Sequence, residues 1–245
     1  MRDVIDIMGI SIDNVTMEQA LKKLENFLSE DGVHMVFTPN SEIMMAARRD
    51  PELAQIFSQA HMLVADGAGV VLASKILGTP LPEKVSGYDL VKNSFSMAAH
   101  RKIRYFLLGS KPGTAETAGK NIMRDYPGVE IVGYHHGYFK PEEESSIIDT
   151  INRSHADILL VALGAPKQEK WIYKHRNELN VKVCIGVGGS LDVFAGNVAL
   201  APDFFRNNGL EWLYRLYKEP WRFKRMLDLP KFMLLVIAKR LKLVK

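Results

Sequence analysis

The sequence has one cysteine, no long hydrophobic run and no export signal at its start. Cys184 alone cannot form an internal disulfide or a cysteine-based zinc site, which favours a reducing compartment and an inert core position for this thiol. The longest strongly apolar run, Phe232 to Ala238, has seven residues, whereas a membrane-spanning helix needs about 20. The opening segment MRDVIDIMGISIDNV is acidic where an export signal would be basic. We therefore expect a cytoplasmic protein that does not cross a membrane.

Several common binding motifs are also missing. No Asp-x-Asp occurs, which argues against a divalent-metal clamp on a nucleotide diphosphate. No P-loop occurs, and GVGGSLD lacks the third glycine of a dinucleotide-binding fingerprint. His135 and His136 are adjacent, and if this segment is extended their side chains point to opposite faces and do not easily share a metal. We expect neither a metal nor a cofactor.

Charge is distributed unevenly along the 245 residues. Residues 206–245 contain 11 Lys or Arg and three acidic residues, a net charge of +8, whereas residues 1–205 carry −4. A mildly acidic body with a basic, aromatic-rich end predicts an anionic partner for that end: a membrane surface, a nucleic acid or a phosphorylated substrate.

Apolar strand-like runs alternate with amphipathic helical stretches through most of the chain. This alternation predicts an α/β fold, a largely parallel Rossmann-like sheet with helices on both faces, as one domain over residues 1–200. Capping signals support the helices: Thr16 with Gln19, Asp50 before Pro51, and Pro141 before three glutamates. The predicted strands are Val33–Phe37, Met62–Ala65, Ile103–Leu108, Val129–Gly133, Asp157–Leu163 and Val181–Val187.

From residue 201 onward the pattern changes to short amphipathic helices that begin near prolines. We predict helices over Leu210–Lys218, from Pro220, and from Pro230 through Phe232 to Lys245. One interpretation of residues 201–245 is a packed helical cap. The other is an interfacial appendage, because basic residues, aromatics and an apolar final helix are typical of segments that lie on membranes.

Polar residues follow the predicted strands, where open parallel sheets bind their ligands. They include Thr38 and Asn40, Asp66, Ser110, Gln168 and Asp192. The glycines beside them could bring backbone amides close to a diphosphate, although tight turns alone also require glycine. Asp66 precedes glycines that leave room for a substrate and could act as a base, or simply as a helix cap.

Eight segments, in order over about residues 5–225, resemble the WecG/TagA/CpsF glycosyltransferase family. They are FTPNSEIMMAARRDPEL, VADGAGVV, LGTPLPEKVSGYDL, FLLGSKPG, YPGVEIVGYHHGYF, ILLVALGAPKQEKWI, IGVGGSLDVFAG and LEWLYRLYKEPWR. The resemblance implies a Rossmann-like domain with a C-terminal membrane appendage. It also implies metal-independent, inverting transfer of N-acetylmannosamine from UDP-ManNAc to the 4-hydroxyl of GlcNAc on undecaprenyl diphosphate, as in wall teichoic acid linkage-unit synthesis.

The resemblance also implies roles for individual residues. Asp66 matches the family's proposed catalytic aspartate, and Lys84 stands where an arginine is expected, which keeps the charge but loses the bidentate geometry for phosphate. Among the remaining substrate-binding candidates, Thr38 and Asn40 would orient a sugar, and Gln168 would bind in the same pocket. Asp192 would contact the nucleoside. Three arginines would neutralise a diphosphate: Arg215, Arg222 and Arg225.

Other functions remain open at this stage. The donor could be another UDP-hexose or a UDP-uronic acid. A nucleotide-binding oxidoreductase would bind NAD(P), and a non-enzymatic membrane or nucleic-acid adaptor would use only its tail. We expect as partners a UDP-sugar, a polyprenyl-diphosphate-linked acceptor and the anionic inner face of the cell membrane, and no nucleic acid. The oligomeric state, including a homo-oligomer, is left open.

Overall fold

The computed structural model describes residues 2–243, without the side chains of residues 99, 100, 207 and 222. The strands are β1 (Val4–Ile7), β2 (Ile10–Asp13), β3 (His34–Phe37), β4 (Met62–Leu63), β5 (Arg104–Gly109), β6 (Glu130–His135), β7 (Ile158–Ala162) and β8 (Val183–Gly186). The helices are α1 (Met17–Phe27), α2 (Ser41–Arg49), α3 (Pro51–Ser58), α4 (Ala68–Leu77), α5 (Gly87–Arg101), α6 (Thr114–Asp125), α7 (Glu144–Arg153), α8 (Lys167–His175), α9 (Ser190–Phe194), α10 (Asp203–Asn207), α11 (Glu211–Lys218), α12 (Phe223–Met226) and α13 (Asp228–Arg240). Single 3₁₀ turns lie at Pro141–Glu143 and Pro220–Arg222.

Six parallel strands form the main sheet in the order β4-β3-β8-β7-β5-β6. They are the six strands predicted from the sequence, each within three residues of its expected ends. The prediction succeeds because strands covered on both faces read as continuous apolar runs, and all five residues of β7 are buried. The α/β fold with a parallel sheet is therefore confirmed.

Two hydrophobic cores lie on opposite faces of this sheet. Side chains alternate along β5, so that Phe106 and Leu108 pack into one core and Tyr105 and Leu107 into the other. Helices α2, α3, α4, α7, α8 and α13 contribute to the first core, and α1, α5, α6 and α9 to the second. Cys184, in the central strand β8, is buried within the first core, and burial raises the pKa of its thiol.

A small antiparallel hairpin, β1–β2, precedes the sheet and is absent from the sequence-based prediction. Met8 and Gly9 form its turn, both with positive φ, as two-residue hairpins require. Asp13 at the end of β2 is buried and accepts a hydrogen bond from the backbone N–H of Leu63 at 2.7 Å, which ties the hairpin to β4. Burial alone would raise the pKa of Asp13, but hydrogen bonds from Arg2, Lys23 and Leu63 hold it below its ordinary value.

The C-terminal helices pack on one side of the molecule. Phe232 and Val236 of α13 are buried against the core that α2 and α4 share. Helix α13 begins at Asp228 rather than at Pro230 as predicted, because proline is tolerated within the first turn. It ends at Arg240, so the predicted extension is wrong for Leu241–Leu243, and residues 244–245 lie outside the described residues. Within residues 2–243, none of the helices has the length and hydropathy that a bilayer span requires.

Candidate functional site

The carboxyl ends of the six parallel strands lie at one edge of the sheet, and two groups of polar residues lie there. The chain runs from β3 to β4 toward one side of the sheet and from β5 to β6 toward the other side. Open sheets whose strand order reverses in this way bind ligands at this edge. The first group lies around Asp66 after β4. The second lies after β5, β6, β7 and β8.

Asp66 lies beside Thr38 and the first residue of α5. The backbone N–H of Gly87 donates to Oδ2 of Asp66 at 3.2 Å, and the N–H of Asp66 donates to the carbonyl of Pro39 at 3.2 Å. A Cβ on Gly87 would lie 2.8 Å from Oγ1 of Thr38, so only glycine fits there without displacing that side chain. The N-terminus of α5, capped by Ser86, therefore faces the carboxyl group of Asp66.

Asn40, at the start of α2, also lies close to Asp66. Its side-chain oxygen accepts from the N–H of Ile43 at 3.0 Å and caps α2. Its Cβ lies 3.8 Å from the position that a Cβ on Gly67 would occupy, which places it next to the turn after Asp66. The structure thus brings Thr38, Asn40 and Asp66 close to one another.

The charge environment of Asp66 comes partly from the C-terminal segment. Burial raises the pKa of Asp66; Arg215, the hydrogen bond from Gly87 and Lys84 oppose this shift, and Glu211 adds to it. Glu211 and Arg215 are four residues apart in α11 and therefore lie on one face of that helix. Asp66 itself is half-buried, so its carboxyl is partly desolvated and partly open to solvent.

Lys84 is already paired in the structure. It donates a hydrogen bond to Glu211, and both side chains are half-buried. The ion pair joins the segment before α5 to the first turn of α11. A phosphate that binds Lys84 would have to share or replace the Glu211 carboxylate.

Two of the three arginines predicted in the C-terminal segment, Arg215 and Arg225, lie beside different acidic residues. Arg215 is exposed and close enough to Asp66 to lower its pKa. Arg225 lies 3.4 Å from Glu42 at the start of α2, beside a cavity of about 220 Å³ that Arg49 and Asp228 also line. The side chain of Arg222 lies outside the described residues.

The second group of residues surrounds an open cleft of about 670 Å³. Asp192 accepts a hydrogen bond from the hydroxyl of Ser110 at 2.9 Å and lines this cleft. Lys167 is held over the ring of Phe139 at 5.3 Å, and both line the cleft. The other lining residues are Lys111, Gly137, Tyr138, Lys140, Ala162, Leu163, Gly164, Gly188 and Gly189. A carboxylate, three lysines and glycine backbone suit a nucleoside diphosphate.

Gln168 is buried next to this cleft, with 4% of its surface exposed. Its carbonyl oxygen accepts from the N–H of Gly188 at 3.0 Å, and its amide nitrogen donates to Glu169 at 3.0 Å. Direct contact between Gln168 and a substrate stays a prediction, whereas its contact with the loop after β8 is part of the structure.

Two contacts at this edge were missed from the sequence. The hydrogen bond from the N–H of Gly87 to Asp66 has a partial signal in the sequence, because Ser86 before Gly87 is a residue that favours the start of a helix. The pairing of Glu211 with Lys84 had no local signal, since the two residues are 127 positions apart. Where side chains are described, no group of three His, Cys, Asp or Glu residues could hold a metal ion.

Comparisons with known proteins agree with this arrangement. The model of the glycosyl transferase WecG/TagA/CpsF family matches residues 5–245. The chain is 39% identical to a Bacillus spizizenii protein over 211 residues, 86% of this chain and 81% of that one. It is 35% identical to a Staphylococcus aureus protein over 243 residues, 98% of this chain and 95% of that one. Both relatives are named N-acetylglucosaminyldiphosphoundecaprenol N-acetyl-beta-D-mannosaminyltransferase.

Proposed function

Because this chain belongs to the WecG/TagA/CpsF family of glycosyltransferases, we propose that it transfers N-acetylmannosamine from UDP-ManNAc to the 4-hydroxyl of GlcNAc on undecaprenyl diphosphate. The product would be the β-1,4-linked disaccharide of a wall teichoic acid linkage unit. The observation that carries the proposal is Asp66, a half-buried carboxyl at the ligand-binding edge that a helix N-terminus and two cations surround.

The donor is proposed to bind in the cleft beside Asp192. The carboxylate of Asp192 can accept hydrogen bonds from hydroxyl groups of the ribose, and lysines such as Lys111 and Lys167 can neutralise the diphosphate. Thr38 and Asn40, next to Asp66, would then orient the transferred sugar or the acceptor sugar. In this proposal the anomeric carbon would lie between the nucleotide cleft and the group around Asp66.

In the proposed reaction Asp66 is the general base. It takes the proton of the acceptor 4-hydroxyl while that oxygen attacks the anomeric carbon from the face opposite UDP. The bond from the anomeric carbon to the β-phosphate oxygen breaks, and its electron pair leaves with UDP. A raised pKa makes Asp66 a stronger proton acceptor than an exposed aspartate. Arg215 and Lys84 would neutralise charge that builds up on the diphosphate.

The C-terminal segment is proposed to hold the enzyme on the cytoplasmic face of the membrane, where a lipid-linked acceptor would be found. Large apolar side chains are exposed there, among them Tyr217, Trp221, Phe223 and Leu234. Basic residues lie among them, and residues 206–245 carry a net charge of +8. Exposed aromatics together with basic residues favour peripheral attachment to anionic lipid. In this proposal residues 1–200 form the catalytic domain, and residues 201–245 both attach it and contribute Glu211 and Arg215.

A panel of UDP-sugars tests the reaction. The enzyme is incubated with each donor and a synthetic GlcNAc-diphosphate-lipid, and released UDP and the disaccharide product are measured. Turnover with UDP-ManNAc well above that with UDP-glucose, UDP-glucuronic acid or UDP-ManNAc uronic acid supports the proposal. Preference for another donor would correct the substrate, and NAD(P) binding without UDP binding would reject the reaction class.

A further inference from the structure

Glu169 is a buried acid that the reaction above does not use. Only 1% of its surface is exposed, and its Oε1 accepts the hydrogen bond from the amide nitrogen of Gln168 at 3.0 Å. Its Oε2 is buried without a hydrogen-bond partner among the described residues. A buried carboxyl of this kind requires an explanation, because burying a polar group costs free energy unless its partners compensate.

The surroundings of Glu169 favour the neutral form of its carboxyl group. Burial raises the pKa of Glu169, and hydrogen bonds from Gln168 and from the backbone of Glu169 itself only partly oppose the shift. No ion pair with Glu169 is found where side chains are described. A neutral acid keeps a carbonyl oxygen that can accept from Gln168, and this is the contact that the structure shows.

The amide of Gln168 is fixed at both ends by different partners. Its oxygen faces the N–H of Gly188, and its nitrogen faces Oε1 of Glu169. Rotating the amide by half a turn would place two donors against each other at Gly188, so the N–H of Gly188 sets the orientation of this amide. A Cβ on Gly186 would lie 2.8 Å from the amide nitrogen, so the backbone packs closely against the same group.

Gly188 lies in the short loop between β8 and α9, which lines the cleft. It has a φ of +52°, and in the structure the side chain of Gln168 is the acceptor for its N–H. Gly188, Gly189 and Asp192 all line the 670 Å³ cleft. A change in the Gln168 amide would therefore be transmitted to the backbone against which the nucleotide is proposed to lie.

We propose that Glu169 is a positioning residue for the nucleotide of the donor, acting through Gln168 to fix residues 187–192, which form the loop after β8 and the start of α9. It touches neither the donor nor the acceptor. The inference rests on the proposed function only for the identity of the ligand, a UDP-sugar. Its effect falls on donor binding, because the loop lines the cleft beside Asp192 rather than the group around Asp66.

The test compares Glu169→Leu, which removes the acceptor, with Glu169→Gln, which keeps a carbonyl oxygen in the same place. We expect Glu169→Leu to weaken UDP binding about tenfold, the size of one buried hydrogen-bond deletion, and to raise the donor KM while kcat at saturating donor changes little. Glu169→Gln should restore both values to within a few-fold of wild type. Ile172→Val, a buried change on the same helix, controls for lost packing.

Two further measurements keep the inference falsifiable. In the Gln168→Met background, Glu169→Leu should have no additional effect on UDP affinity, because the intermediary is already gone. Without nucleotide, Glu169→Leu should speed amide hydrogen exchange in residues 187–192. If Glu169→Leu does not fold, Glu169→Asp, whose shorter side chain withdraws the acceptor, takes its place in every measurement.

The outcomes separate this inference from the proposed reaction. Unchanged UDP affinity and unchanged exchange in Glu169→Leu would overturn it, as would a Glu169→Gln variant as impaired as Glu169→Leu, or additive effects with Gln168→Met. If wild-type protein binds no UDP, the proposed function fails, but hydrogen exchange of the loop still tests the role of Glu169.

Discussion

Strand β7 and helix α13 are both rich in Leu, Ile and Val, yet every residue of β7 is buried whereas α13 buries only Phe232 and Val236. The strand lies between two layers of helices, so both of its faces need apolar residues. The helix packs on α2 and α4 with one face only, and Leu234 on another face is 67% exposed. This exposed apolar surface beside basic residues is the one that the proposed membrane attachment would cover.

The largest expected effect is on the rate of transfer and concerns Asp66, which follows strand β4 of the sheet. Asp66→Asn should lower the rate of transfer by about 10² to 10⁴, the usual contribution of a general base, and leave UDP affinity within a few-fold. Asparagine keeps an oxygen that can accept from Gly87 but cannot take the proton. Steady-state kinetics and calorimetry measure the two quantities. Asp125→Asn, an exposed aspartate at the end of α6, is the control, and near-normal turnover of Asp66→Asn would remove Asp66 from this role.

The two faces of α13 should differ in their effect on stability. Phe232→Ala should lower the free energy of unfolding by about 3 to 5 kcal/mol, because it leaves a cavity beside α2 and α4. Leu234→Ala should change the same quantity by less than about 0.5 kcal/mol. Urea titrations of both variants measure the difference. Equal losses would mean that Leu234 is packed rather than exposed.

Membrane attachment should follow the exposed aromatics. Replacing Tyr217 and Trp221 with serine should weaken binding to anionic vesicles by about tenfold or more, because two large apolar surfaces no longer leave water. Transfer to a short, water-soluble acceptor should stay close to that of wild type. Vesicle sedimentation at increasing salt measures the binding to vesicles. Met123→Ser, which replaces an exposed apolar side chain on α6, is the control. Attachment unaffected by the double substitution and by salt would contradict the proposed surface.

The smallest effects concern the pH dependence of transfer. Asp66 must be ionised to accept a proton, so activity is lost as the pH falls through its pKa. Removing the opposing charge with Arg215→Gln should raise that pKa and move the acidic limb of kcat/KM to higher pH. Glu211→Gln removes a carboxylate that raises it, and should move the limb to lower pH. Shifts in the same direction would show that α11 does not set the charge of Asp66.

Most of the sheet could be predicted because burial on both faces leaves a continuous apolar pattern. The hairpin could not, because Asp6 in β1 and Ser11 in β2 break the continuous apolar run that marked the strands of the sheet. The gathering of Thr38, Asn40 and Asp66 follows from parallel topology alone. The contact between Lys84 and Glu211 depends on how α11 packs, and the contact between Gln168 and Gly188 joins residues 20 positions apart. Neither depends on local sequence.

The position of Cys184 has a practical consequence. The only thiol of the chain lies in the central strand, fully buried, and burial holds its pKa above the usual range, so maleimide and methanethiosulfonate reagents should leave it unmodified in the folded protein. A cysteine introduced on the exposed face of α13, for example Leu234→Cys, would then carry a spin label or fluorophore alone. Depth measurements in bilayers could follow that single reporter in an otherwise unaltered molecule.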